Sequence, residues 1–470
     1  MEGNIDEETP GAAVGVNIPD IVEETPTVAN TSNPESQPRV LYKVPVQMKR
    51  YKEHFYEPEV VPLGPYHHRG HPQSQLVDPL KNELEVLLCK DPNRKSFLLG
   101  EIRKRIDEIR RFYMGADAYD DEELAEMMLR DACFLICNMQ GGETSDLIGR
   151  RLGLSGKLFM YRDIRMLENQ IPLWLISLIH PDPQLLLCQY LNLIVFGDDI
   201  RPTQQNEGGA ELLVFGGYTR ITQLPWENGK GEEPLHLLDA WYRILLYRNE
   251  SPDKSRCFSQ IIKSYFNQAS AKKRSSITVW RMVNSPFRSA TDLRAKGIHF
   301  RRSSNCLTDI KFFSCAFYAE LQLPSFYVTN SSKVYFSNLI SFEMSPKRDT
   351  DKDTVFGLTS YLNFMKALIH NANDVKVLRE KGILYGLLAT DEDVVEMFKS
   401  IDTYGYPNRG LFLDVKMMIE EHCNNKARTW MADLMKTNFR SPWTIIALVA
   451  ATFLLCLTFL QTYFTINPRN

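Results

Sequence analysis

DDEELAEMMLRDACFL, residues 120–135, reads as the start and body of one helix packed against a core. Asp120 or Asp121 supplies the short acidic side chain that accepts a hydrogen bond from an N–H left free in a first helical turn. Leu124, Met128 and Leu135 then recur at helical spacing and share one face. Asp131 falls inside that apolar stripe. Helical signals continue on both sides. Upstream, Leu84, Leu87 and Leu88, then Ile102, Ile106 and Ile109, repeat at helical spacing within Leu80–Tyr113 and are interrupted near Asp91 and Pro92, which predicts two helices joined by a turn. Downstream, Leu358, Tyr361, Leu362, Met365, Leu368 and Ile369 mark another helix. Val375–Lys381 is a short one closed by Gly382, and Thr390 caps a helix running through Phe398.

The pattern changes between residues 297 and 329. There GIHFRR, DIKFF and LPSFYV cluster β-formers in pieces too short for helices. The expected class is therefore mainly α, formally α+β, with a small β-sheet or hairpin near 297–329. A chain of 470 residues with 44% hydrophobic side chains supplies a normal core for one large domain or two ordinary ones. Residues 199–234, rich in Gly, Gln, Glu and Pro, read as an exposed loop, and no repeat of fixed period is visible.

Both ends differ from the middle. Residues 1–38 hold eight acids, no base and five prolines, a composition that buries too little apolar surface to offset its ordering entropy, so this segment is expected to be disordered. It has neither the basic start nor the apolar run of a secretory signal, which places it in the cytosol. From Ser441 to Pro468 no residue is charged, and WTIIALVAATFLLCLTFLQTYFTI, residues 443–466, is long enough for a transmembrane helix with Trp443 and Tyr463 at its edges and Leu454 and Leu455 in its middle. Lys426, Arg428, Lys436 and Arg440 precede it and only Arg469 follows, which puts the bulk of the chain on the cytoplasmic side of a single-pass, tail-anchored protein. The expected layout is an acidic tail at 1–38, a helical globular domain at 39–425, a basic juxtamembrane segment at 426–440, a membrane helix at 441–466 and a short tail at 467–470. Composition does not decide between plasma membrane and endomembrane.

Fifty-five bases against 58 acids give a formal charge of -3, which offers no global attraction for nucleic acid. Nine cysteines without a C-x-x-C pair fit reduced thiols. Cys133 and Cys137 stand one helical turn apart, but without a second flanking pair they read as small core residues.

Several blocks then resemble a known family. LYKVPVQMKR and PLGPYHHRGH near the start, EMMLRDACFL, MLENQIPLWLI, HLLD, SATDLRAKGIHF, LPSFYVTNSSKVYFSNLISFE, NANDVKVLREKGI and NFRSPWTIIALVAATFLLCLTFLQT are similar to the plant domain-of-unknown-function 247 family, from about residue 40 to 466. The resemblance implies a plant membrane protein with no established enzymatic activity. It also implies kinship with grass members implicated in pollen self-incompatibility, a role that does not pass automatically to every member.

Candidate chemistry is sparse. His67, His68 and His71 crowd into GPYHHRGH and are metal-ligand types, but Pro62, Gly64, Pro65, Gly70 and Pro72 predict an irregular loop, and no nearby Cys or carboxylate completes a tetrahedral set. Asp131 and Glu168 are the carboxylates best placed for a raised pKa and acid–base work. The bland alternative is hydrogen bonding to backbone at helix ends, with Pro172 forcing a break after Glu168. GRRLGLSGKL, residues 149–158, fails the phosphate-loop pattern at Arg151 and Leu158, and no nucleophile elbow, zinc helix or dinucleotide motif occurs. No cofactor is expected. Lys272, Lys273, Arg274, Arg281, Arg288, Arg294, Lys296, Arg301 and Arg302 concentrate positive charge opposed only by Asp292. That patch suits an anionic membrane surface or an acidic partner, or is simply a solvated face. The expected function is a membrane-tethered recognition or signalling module that binds a second copy, a relative or another protein. The alternative is a membrane-bound enzyme of the hydrolase kind, using the buried carboxylates.

Overall fold

The structure, a computed structural model, describes residues 40–196, 224–226, 232–246, 287–346, 356–404, 411–425 and 442–466, apart from 51, 115–117, 304–305, 316–317, 387 and 389. The acidic segment 1–38, most of 199–234, and Lys272, Lys273, Arg274 and Arg281 lie outside the described residues. In chain order, α1 (Val46–Lys49) and a 3-10 turn (Glu53–Phe55) lead into α2 (Ser74–Cys89), α3 (Pro92–Lys104), α4 (Ile106–Phe112), α5 (Asp121–Gln140), α6 (Gly142–Asp163), α7 (Trp174–Ile179), α8 (Pro183–Phe196) and α9 (Leu237–Leu246). The molecule is mainly helical with little sheet.

The stretch that opens at Asp120 is the centre of this half. The Asp120 side chain accepts from Glu123 N at 2.7 Å, and Asp121, Glu122 and Glu123 fill the first turn, where negative charge suits the helix dipole. One apolar face was expected, yet every side chain from Asp131 to Met139 is buried. The cause is its surroundings: α2, α3, α6, α7 and α8 all pack on α5. A helix enclosed by others has no face to give to water. The helices on either side of Asp91 also differ in detail. Asp91 caps α3 through Asn93 N at 3.0 Å, but a second break comes at Arg105, whose guanidinium stacks 3.7 Å from the centre of the Trp174 ring and pairs with Glu108. The glycine-rich run 149–158 lies inside α6, which kinks at Gly153 (φ +70).

The second half alternates short strands with helices: α10 (Ala290–Ala295), β1 (Ile298–Ser303), β2 (Lys311–Ser314), β3 (Ala319–Pro324), β4 (Phe326–Val328), α11 (Ser332–Glu343), α12 (Gly357–Leu368), α13 (Ala372–Glu380), β5 (Leu384–Gly386), α14 (Asp391–Ser400) and α15 (Leu413–Asn424). The expected small sheet is present but is not a lone hairpin. Its order is β1-β3-β2, with β1 parallel to β3 (Ile298 opposite Ala319) and β2 antiparallel to β3 (Phe312 opposite Leu321). LPSFYV divides at Ser325. Its first two residues end β3, while Phe326–Val328 pairs in parallel with β5, a strand that sequence patterning missed. At Gly386 a Cβ would stand 2.3 Å from the Val328 carbonyl oxygen, so only glycine allows β4 and β5 so close. Both halves share one continuous buried apolar cluster, from Leu41 to Cys423.

The last helix, α16 (Pro442–Ile466), has 25 residues and no charge. Among the described residues no helix is long and apolar enough to cross a membrane, so the structure does not support the membrane helix expected at 441–466. Leu454, Leu455 and Tyr463 are exposed, and the side chain of Trp443 lies outside the described residues.

Candidate functional site

A proline-rich segment cannot form a helix, and residues 57–66 run from Glu57 to Tyr66 without regular structure through the middle of the first half. From Val61 to Pro65 it is buried, so the backbone groups there must find partners. They find side chains. On α5, Asp131 Oδ2 accepts from Gly64 N at 2.7 Å, while its Oδ1 lies 2.6 Å from Lys81 Nζ on α2, and Lys81 also donates to the Pro62 carbonyl. Both charges are essentially buried, 1% and 2% exposed, so each is the other's neutralising partner. Gly64 takes φ +69, and a Cβ there would stand 2.8 Å from the Tyr113 hydroxyl and 3.1 Å from the Gln170 carbonyl oxygen.

The turn after α6 completes the clamp, and nearly every polar residue in it is used. Asp163 Oδ2 accepts from Val60 N (2.6 Å) and Val61 N (3.0 Å). Asn169 accepts from Leu63 N at 2.6 Å and donates to the Val61 and Asp163 carbonyls, both at 2.9 Å. Gln170 donates to the Ile164 and Met166 carbonyls and accepts from Leu238 N at the start of α9. Glu168 accepts from Val44 N at 2.7 Å and Lys49 Nζ at 2.7 Å, and His67 Nε2 stands 3.5 Å away. Burial pushes the Glu168 carboxyl up, but His67, Lys49 and Val44 N together hold it below the usual range. For Asp163 the balance is reversed: burial outweighs the hydrogen bonds from Val61 and Val60 and raises its pKa.

Asp131 and Glu168 each accept a backbone N–H, from Gly64 and Val44, and each meets a lysine. Their oxygens hold backbone N–H groups and lysines, which orders the chain around them. The three loop histidines go separate ways. His67 faces Glu168, His71 Nε2 donates to the Pro58 carbonyl at 3.0 Å, and His68 packs edge-on to Tyr119 with its Nδ1 buried and unbonded. Burial lowers the His68 pKa. Among the described residues no group of three His, Cys, Asp or Glu could hold a metal. Cys133 and Cys137 are core thiols, with Cys133 hydrogen-bonded to Cys89 of α2 and Cys137 pushed by burial up to about 12.

A further carboxylate of this kind, away from the clamp, was not anticipated. Glu343, at the end of α11 and fully buried, accepts from Tyr242 OH (2.7 Å), Leu358 N (3.0 Å) and Thr359 N (2.9 Å), and so caps α12 from another helix. Nothing local in sequence marks it, because its partners are residues of α9 and α12. Asp374 could have been found. It forms a capping box with Asn371, and also accepts from Thr291 N (2.8 Å) to tie α10 to α13.

Three of the five described bases of the basic patch meet acids. Arg288 meets Glu420 at 3.4 Å, Arg294 meets Glu380 at 3.0 Å and Arg301 meets Glu320 at 3.7 Å, while Arg302 reaches the Tyr385 hydroxyl at 3.4 Å. For Arg288, Arg294 and Arg301 the opposing acids come from residues distant in sequence.

Comparison with known proteins adds a lineage. A family model, domain of unknown function 247, described as a plant protein of unknown function, matches residues 41–457. A UPF0481 protein from Arabidopsis thaliana is 24% identical over 439 residues, which cover 90% of this chain and 85% of the relative. A putative UPF0481 protein from the same plant is 22% identical over 490 residues, covering 90% and 89%. No solved structure matches.

Proposed function

The chain belongs to the plant domain-of-unknown-function 247 family, and from that premise we propose that it is a membrane-tethered recognition module whose helical domain binds another protein at the bilayer surface. The observation that carries the proposal is the uncharged, apolar sequence from Ser441 to Pro468, most of which forms α16. At about 1.5 Å per helical residue, such a run is long enough as a helix for a hydrocarbon core of roughly 30 Å. Its described apolar side chains point outward, Phe453, Leu454 and Leu455 among them. The hydroxyls of Thr458, Thr462 and Thr465 bond to carbonyls one turn back, at 2.8, 2.8 and 2.7 Å, which is how polar side chains satisfy themselves in lipid. The bases Lys426, Arg428, Lys436 and Arg440 before the helix favour a cytoplasmic domain.

Recognition rather than catalysis is supported by how the buried acids are used. Asp131, Asp163, Glu168 and Glu343 hold backbone, so their conformational role competes with any chemical one. A tether raises the effective concentration of the domain for partners held at the same membrane. The partner is a second copy, a relative or a distinct protein.

Extraction of membranes with alkaline carbonate tests the tether. The full chain stays in the pellet and a chain lacking residues 441–470 moves to the supernatant, whereas retention of the truncated chain would contradict the tether. Protease added to sealed microsomes then tests orientation: the large domain is digested, and its protection would reverse the assignment. In-membrane crosslinking followed by mass spectrometry tests recognition, with recurrent links from the helical domain to one protein species as the expected result.

A further inference from the structure

The glycine-rich run that fails as a phosphate loop builds a surface instead. Gly153, at φ +70, breaks α6, and the limb beyond it turns only part of itself to the core. Met160 is buried there, whereas Leu154, Leu158 and Phe159 are 79%, 62% and 41% exposed. Leu154 and Leu158 stand one turn apart on the same side of the limb, and Phe159 follows on its flank. Single apolar side chains on a surface need no explanation, but three large ones gathered within two turns of one helix mark a contact surface.

The charges around these side chains indicate what covers them. Between Asp146 and Asp163 the sequence holds Arg150, Arg151, Lys157 and Arg162 and no acid. Asp163 is buried and accepts from Val60 N and Val61 N, so it offers nothing to the outside. Arg151 is offset by Glu83 of α2 at 2.8 Å, and Arg162 by Glu59 at 2.8 Å. Arg150 is exposed, and the Lys157 ammonium lies 5.9 Å from the centre of the Tyr161 ring; among the described residues neither has a carboxylate partner. Exposed leucines and a phenylalanine bordered by uncompensated bases match the boundary of an anionic bilayer. Apolar side chains enter there between the headgroups, while long basic ones reach the lipid charges.

We propose that the second limb of α6 is a membrane-surface contact, with Leu154, Leu158 and Phe159 seated in the headgroup boundary of an anionic leaflet and Arg150 and Lys157 paired with its lipids. The choice of a bilayer over a protein rests on the tether proposed above. The stretch from Asn424 to Pro442 spans at most about 65 Å even when fully extended, so a domain joined to α16 stays within reach of the leaflet. The tether then decides which membrane the domain meets, and α6 decides which face of the domain meets it, leaving the other faces open to a partner.

A fluorophore on the full chain reads this contact. Cys188→Ser, Cys257→Ser, Cys315→Ser and Cys456→Ser leave the buried thiols in place, and a nitrobenzoxadiazole group is coupled at Ser155→Cys beside the apolar side chains or, as a control, at the exposed Glu392→Cys on α14. In vesicles of phosphatidylcholine and phosphatidylserine in equal parts, emission from position 155 is expected to shift to the blue and to be quenched by lipid spin-labelled near the headgroup. Emission from position 392 does neither. Arg150→Gln with Lys157→Gln lowers the seated fraction by about fivefold per base removed. Leu154→Glu with Leu158→Glu abolishes the quenching while the circular dichroism spectrum is kept, since both side chains are already exposed. No quenching at position 155 on the anionic vesicles would overturn the proposal, as would equal quenching in phosphatidylcholine alone or at position 392. A blue-shifted emission that no spin-labelled lipid quenches would also overturn it, by assigning the face to protein. Flotation of the full chain with phosphatidylcholine vesicles after a carbonate wash reports α16 alone, so a failed tether and a failed surface contact are read separately.

Discussion

Lys81 and Asp131 meet where almost no water reaches, 2.6 Å apart, with Pro62 and Gly64 completing their partners. Removing one member of such a pair strands the other, which costs more than the pair contributes. Asp131→Asn is expected to destabilise the domain by roughly 3–5 kcal/mol, and adding Lys81→Met to it is expected to restore part of the loss. Chemical denaturation followed by circular dichroism measures both, and a double variant less stable than Asp131→Asn would contradict the pairing. Glu168 makes a pH-dependent contribution whose sign follows from its environment. Its pKa in the fold lies below its ordinary 4.5, so its stabilisation is fully present above that value and drains away as pH falls through the lower folded one. Asp163 acts oppositely, because burial holds it above its ordinary 3.8 and acid relieves the cost of its charge. Only a difference measurement separates them. The stability gap between the native chain and Glu168→Gln is expected to be widest at neutral pH and to close on acidification below about 4.5. A gap that does not change with pH would remove Glu168 from the acid response.

At the scale of elements, α5 carries the strongest consequence. Leu135 is 2% exposed in a helix enclosed by five others, whereas Leu87 on α2 is 48% exposed. Leu135→Ala is expected to cost roughly 2–5 kcal/mol and Leu87→Ala less than about 0.5 kcal/mol, readable as the shift of the thermal midpoint. Equal costs would mean that α5 is not the centre of the core. The sequence periodicity of Leu124, Met128 and Leu135 revealed this helix and its cap, because both depend on near neighbours. It did not reveal burial on all sides, which depends on helices far away in the chain. The strands show the same division. GIHFRR and DIKFF were legible as extended pieces, but parallel pairing of β1 with β3 and of β4 with β5 is set by crossovers that no short stretch encodes. The clamp was half legible: Asp131 and Glu168 stood out as acids in apolar or proline-limited settings, whereas Glu343 depends on partners contributed by α9 and α12.

For the molecule as a whole, the segment from Leu41 to Tyr66 is the piece on which the rest closes, despite its lack of regular structure over most of its length. Leu41 N bonds to the Phe112 carbonyl at 2.7 Å, Val44 to Glu168, Val60 and Val61 to Asp163, Leu63 to Asn169 and Gly64 to Asp131, so the segment touches the end of α4, α5 and the turn after α6 in succession. It also reaches the second half, since Asn338 of α11 donates to the Phe55 carbonyl at 2.7 Å while accepting from Leu167 N at 2.8 Å. Taking the segment away would leave four buried acceptor groups on Asp131, Asp163, Glu168 and Asn169 without their donors, at about 1–3 kcal/mol each and more for the charged ones. Together with the loss of Leu41, Val44, Tyr56, Val61 and Leu63 from the core, that exceeds the roughly 5–15 kcal/mol by which a domain is stable. A chain beginning at Arg39 is therefore expected to melt cooperatively at the same temperature as the full chain, and one beginning at His67 to show no cooperative transition by circular dichroism. A cooperative transition in the shorter chain would mean that the two halves hold together through α5 and the apolar core alone, and that the polar clamp secures the segment to the domain rather than the domain to itself.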